Sequence, residues 1–188
     1  MGFSTTMSSI PAPDGAPRWP NVPACYGWLS LDRRGNWALR GERVEHAGLI
    51  RFLSQHYRCD DAGNWLVDNG PQKVFVALEY TPWVLRLDTD GSPSTHTGAP
   101  AGEVRAALLD DEGNALLDTA AGIGLVDDRD LAVFLAGCRL ANGEAADENA
   151  LMAVMAGAGG VWWNDLPLRS VARAEMASRF GYVPAPVA

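Results

Sequence analysis

Glu79 and Tyr80 stand between two apolar segments, Lys73-Val-Phe-Val-Ala-Leu78 and Trp83-Val-Leu-Arg-Leu87, one residue short of the Thr81-Pro82 break. A carboxylate at a strand end beside an indole is open to desolvation, which moves its pKa toward the range of a general acid or base. The plainer reading is a salt bridge from Glu79 to Arg86 or Lys73. His46, ahead of an amphipathic stretch, is the partner that an acid–base reading of Glu79 would use; its competing role is a helix cap or a packing residue. Asp127, Asp128 and Asp130 suit either an acidic pocket or the start of the helix that follows them. Trp162 and Trp163 are adjacent, so in an extended segment they face opposite sides, and one could stack on a base or a partner surface beside the glycines at 157–160.

Several other chemistries lack their residues. Three Asp-x-x-Gly-Asn runs, starting at Asp32, Asp60 and Asp110, hint at calcium loops. An EF-hand needs oxygen ligands at alternate positions and a Glu at the twelfth, whereas Arg33 and Arg34 put cations where ligands belong. His46 and His56 lie on one expected helix at a spacing of ten, which rotates them about 80° apart, and His96 sits among turn residues as a solvated side chain; no metal triad forms. There is no Gly-x-Ser-x-Gly elbow, and neither Gly122-Ile-Gly124 nor Ala156-Gly-Ala-Gly-Gly160 completes a phosphate-binding fingerprint. No cofactor or metal is therefore expected. A net charge of −8 leaves no basic surplus for nucleic acid. The 3 cysteines, widely spaced and odd in number, read as free thiols of a cytoplasmic protein, and no apolar run is long enough for a membrane span.

The elements that must hold these residues follow from turns and periodicity. An Asp opening a type I turn, closed by a Gly at positive φ, reverses the chain between antiparallel strands, so each Asp-x-x-Gly-Asn run marks a hairpin corner. The expected pairs are 26–31 with 37–39, 57–59 with 65–67, and 104–109 with 115–118. Residues 45–57 carry a helical stripe of Leu49, Phe52, Leu53 and His56, and Leu131, Phe134, Leu135 and Cys138 repeat that spacing. Further helices are expected at 147–156 and 170–180, with 88–102 an exposed loop. Prolines at 11, 13, 17, 20 and 23 argue for a disordered tail over 1–23. The expected class is α+β, mainly antiparallel hairpins packed with helices in a repeated hairpin–helix motif. Two small domains are expected, at 24–70 and 71–188.

The run Trp37-x-x-x-Gly41-x-x-Val44-x-His46-x-x-Leu49-Ile-Arg-Phe-Leu53, followed by Pro71-Gln-Lys73-Val-x-Val76-x-x-Glu79-x-x-Pro82-Trp83-Val84, resembles the bacterial domain-of-unknown-function 1285 family. Leu116-Leu-Asp-Thr-x-x-Gly-x-Gly124 to Leu131 is similar to its next segment, so the likeness spans residues 28–131, interrupted by an insertion at 91–113. The resemblance implies a two-domain α+β fold and a cleft between the domains that holds a nucleotide-like ligand in a signalling role. Arg51, Lys73, Glu79, Tyr80 and Trp83 are then the expected ligand-binding residues, as anion, polar and stacking contacts. The alternatives are a hydrolase or transferase using Glu79 and His46, and a protein-binding adaptor presenting Trp162 or Trp163.

Overall fold

The computed structural model describes residues 22–188, so the expected tail lies, apart from Val22 and Pro23, outside the described residues. Strands β1 (Ala24–Leu31), β2 (Trp37–Leu39) and β3 (Glu42–Arg43) precede helix α1 (Ala47–His56); β4 (Tyr57–Cys59), β5 (Trp65–Asp68) and β6 (Lys73–Leu78) follow it. They make a six-stranded sheet in the order β3-β2-β1-β6-β5-β4, closed at its centre by a parallel pair in which Leu31 lies opposite Leu78.

A second sheet takes the rest. It contains β7 (Trp83–Leu87), β8 (Pro93–Thr95), β9 (Val104–Asp110), β10 (Ala115–Thr119) and β11 (Gly122–Val126). After α2 (Leu131–Ala136) come β12 (Cys138–Leu140), α3 (Glu148–Met155), β13 (Val161–Trp163), β14 (Leu166–Val171) and α4 (Met176–Phe180). The order is β12-β13-β14-β9-β10-β11-β7-β8. Read from β11 to β12, this repeats the succession of the first sheet, again with a central parallel pair, β14 against β9. The class is α+β, with two mixed sheets that are mostly antiparallel.

The hairpin corners are built by their aspartates. Asp32 Oδ1 accepts from the amides of Arg34 and Asn36, each at 2.8 Å; Asp60 Oδ1 accepts from Ala62 at 3.0 Å and Asn64 at 2.9 Å; Asp110 Oδ1 accepts from Glu112 at 3.0 Å and Asn114 at 2.8 Å. Gly35, Gly63 and Gly113 sit at φ of 76°, 83° and 82°, where a side chain would be strained. The start of α1 is capped by His46, whose Nδ1 accepts from the Leu49 amide at 3.2 Å.

Three elements differ from expectation. The helical stripe through Cys138 stops at Ala136, and Cys138 opens β12 opposite Trp163. The helix expected at 170–180 divides into the end of β14, a single 3-10 turn at Arg173–Glu175, and α4. The loop at 88–102 holds β8, which pairs with β7.

Two cores result. One lies between the sheets and joins Leu29, Leu31 and Val76 of the first to Leu108, Leu116 and Leu125 of the second. The other packs α2 and α3 on the far face of the second sheet through Phe134, Val154, Leu117, Leu168 and Trp163. Each such side chain, fully buried, contributes about 1.5–3 kcal/mol. The chain beyond α4 returns to the first sheet: Val183 N–H donates to Gly63 at 2.9 Å, Leu78 N–H donates to Pro184 at 2.7 Å, and Tyr182 is buried.

Candidate functional site

The corner between β1 and β2 meets the corner between β9 and β10 across the junction of the sheets. Between them lies a cleft of about 460 Å³, lined from the first side by Arg33, Arg34 and Glu79 and from the second by Asn114, Leu125, Val126 and Asp128. The Arg33 amide donates to Glu79 Oε2 at 3.1 Å, while its guanidinium donates to the Asn114 side chain. Arg34 forms a two-armed pair with Asp128, at 3.1 and 2.5 Å, which raises its pKa further. Both partners of this pair are more than half exposed, so a surface pair of this kind contributes little to stability and is easily exchanged.

Behind the cleft, Tyr80 is buried and donates to Asp110 Oδ2 at 2.7 Å. Burial first, then the hydrogen bond to the carboxylate, push its hydroxyl well above the ordinary range. The Arg173 guanidinium lies 4.3 Å from the centre of its ring and that of Arg33 lies 5.7 Å away. Tyr80 thus anchors the two corners to each other and supports the arginine from within. Next to the cleft, burial raises the pKa of Asp127, but its hydrogen bonds with Arg129 outweigh that and hold it down at about 2. Asp127 also caps the 3-10 turn before α2.

The expected ligand residues are only partly brought together. Glu79 lines the cleft and Tyr80 stands behind it. Arg51 is exposed on α1, and Lys73 is exposed at the start of β6, the opposite end of that strand from Glu79. Trp83 is held elsewhere: its Nε1 donates to Ala121 at 2.8 Å and its ring packs edge-on against Tyr57 and Trp65. His46 lines a separate cavity with Leu39, Arg43 and Leu49, so the Glu79–His46 acid–base pair is not assembled. Arg86 pairs with Asp130, not with Glu79. Among the described residues no group of three or more His, Cys, Asp or Glu could hold a metal ion.

His96 is not a solvated loop residue. Its ring sits 5.5–5.6 Å from those of Trp37, Tyr57 and Trp83, its Nδ1 accepts from the Val84 amide at 3.3 Å, and its Nε2 is buried without a partner. Burial lowers its pKa to about 4. Arg33 and Arg34 were visible in the sequence as the charges that rule out calcium. The signal that places them in a site is their position at the tip of a corner that meets another corner.

The family described as "Protein of unknown function (DUF2946)" matches residues 13–187. Among curated proteins no sequence matches. Among solved structures the fold is similar to that of a DUF1285 family protein from Silicibacter pomeroyi DSS-3, at 15% identity over 81% of this chain and 84% of that one, with a TM-score of 0.51. A DUF1285 family protein from Shewanella baltica OS155 matches at 19% identity over 58% of this chain and 91% of that one, with a TM-score of 0.45. The likeness of fold to the first agrees with the resemblance carried by the segments from Trp37 to Leu53 and from Pro71 to Val84.

Proposed function

We propose a role for this chain, which belongs to the DUF2946 family, as a cytoplasmic module that binds a small, nucleotide-like anion in the cleft between its sheets and reports that binding to a partner. The observation that carries this is the meeting of the Arg33–Arg34 corner with Asn114 and Asp128. Two guanidinium groups border this cleft beside β11, and the Asn114 and Asp128 side chains that engage them there can be displaced by a ligand oxyanion, while Arg33 also faces the Tyr80 ring. Glu79 adds an exposed acceptor for a donor on the ligand. Because the cleft walls come from different sheets, a ligand that takes Arg34 from Asp128 changes a contact between them, which is the physical basis for a signal.

The proposal reads the chain as two units built on one hairpin–helix plan. Its support is the strand order shared by the two sheets, and it takes the division after β6 rather than at the expected residue 70, because β6 pairs within the first sheet. An enzyme acting through Glu79 and His46 receives no support, since these residues line different cavities.

The test is a panel of mono-, di- and triphosphate and cyclic nucleotides at millimolar concentration, read by thermal shift. One class should raise Tm in the wild type, and the gain should vanish in the Arg33→Ala/Arg34→Ala double variant; a ligand at a hundred times its Kd stabilises by about 2.7 kcal/mol. A flat response across the panel sinks the reading.

A further inference from the structure

One face of the second sheet is only half covered. Over β9–β11 it packs on the first sheet, through Leu108, Leu116 and Leu125. Arg169 lies opposite Leu108 on that same face, and Pro167, two residues earlier on β14, lies opposite Trp162, which in turn lies opposite Arg139. There the covering sheet has ended. Arg139, Pro167 and Arg169 are exposed and Trp162 is half-buried, whereas its neighbour Trp163 points into the core at 2% exposure.

Trp162 borders a cavity of about 360 Å³ that is walled also by Pro167, Arg169, Ser170 and the loop at 157–160. Arg169 makes no ion pair or side-chain hydrogen bond among the described residues, unlike Arg34, Arg58, Arg86, Arg129 and Arg173, each of which has its carboxylate. The N–H groups of Gly157 and Ala158 are used to close α3, on Val154 and Ala153; those of Gly159 and Gly160 donate to nothing among the described residues. A side chain built at Gly157, Gly159 or Gly160 would meet no atom within 4 Å, so the space in front of the loop is open. A half-buried tryptophan, an arginine without an ion pair and two glycines whose amides have no acceptor among the described residues therefore border one cavity.

We propose that this cavity is a second binding site, for a planar aromatic ring that carries a compact oxyanion such as a phosphate. The ring stacks on Trp162, and the oxyanion takes Arg169 and the amides of Gly159 and Gly160. A cationic ligand would be repelled by Arg169, and a purely apolar one would leave the guanidinium and both amides without partners. The site is apart from the Arg33–Arg34 cleft and stands whether or not that cleft binds a nucleotide.

Phenyl phosphate is the probe, titrated into the full chain labelled with nitrogen-15, with inorganic phosphate and phenol as its two halves. The Gly159, Gly160 and Trp162 indole signals should move on one isotherm, with phenyl phosphate binding about tenfold more tightly than inorganic phosphate. Arg169→Ala, at an exposed position, should weaken phenyl phosphate about tenfold, and Arg33→Ala should leave it unchanged. Trp162→Ala should erase the preference for phenyl phosphate over inorganic phosphate; should that variant fail to fold, Arg169→Ala decides alone. Unmoved loop amides, or binding that falls in Arg33→Ala and persists in Arg169→Ala, would overturn the site and assign the ligand to the cleft.

Discussion

His96 shows what one residue can cost. Its Nδ1 already accepts from Val84 and its Nε2 has no acceptor, so the folded chain offers an added proton no place; the nearest opposing influence is the negative charge of Asp32. The unfolded chain takes up that proton near pH 6.5, the folded one only near 4. Above the first value the group has no effect on stability. As the pH falls from 6.5 to 4 the unfolded state is increasingly favoured, by on the order of 3 kcal/mol in full. The unfolding free energy of His96→Leu should therefore slope less steeply across that interval than that of the wild type; equal slopes would refute the assignment. Asp127 acts at lower pH, between its ordinary value and about 2, and does not blur the comparison. Tyr80→Phe should cost about 1–3 kcal/mol in denaturant titration, because Asp110 remains buried with one donor fewer. Glu79 and Tyr80, which the sequence places at a strand end before a proline break, both lie where the sheets meet. The sequence could not show that Arg51, Lys73 and Trp83 are dispersed, because local pattern carries no distance between a helix face, a strand start and an aromatic cluster.

Among elements, the three corners were the most legible, since an Asx-turn is decided within five residues. They also differ in what they touch. A Cβ at Gly63 would lie 2.4 Å from the Gly181 carbonyl oxygen, whereas one at Gly70, at φ of 92°, would meet nothing. Gly63→Ala should thus incur the left-handed penalty of about 1–2 kcal/mol and lose the docking of the returning tail besides, and Gly70→Ala should incur the penalty alone. Urea midpoints of the two variants check this; similar losses would mean that the tail contributes nothing. The misread elements have a common cause. Cys138 follows Phe134 at helical spacing, but Gly137 intervenes and the residue is used as a strand facing Trp163. In the same way Ser170 and Val171 continue a strand whose partner, β9, lies some sixty residues earlier. Parallel pairing between distant strands has no local signature.

At the scale of the whole molecule, the core between the sheets ties both halves together, with Leu108, Leu116 and Leu125 on one side and Leu29, Leu31 and Val76 on the other. The α+β class was readable from short strands and amphipathic helices; the face-to-face arrangement was not, because alternation shows that a face is buried but not by what. Leu108→Ala should cost about 2–5 kcal/mol and lower a single transition, with tryptophan fluorescence and far-ultraviolet circular dichroism falling together. Two separated transitions would show that the halves unfold independently. One strand binds this architecture to the order in which the chain is made. The amide of Lys73 at the start of β6 donates to Pro23, and that of Leu78 at its end donates to Pro184. On a ribosome the first sheet therefore waits, its central strand open at one end, while roughly a hundred further residues are translated; a pause or truncation in that interval leaves half a fold exposed to chaperones and proteases.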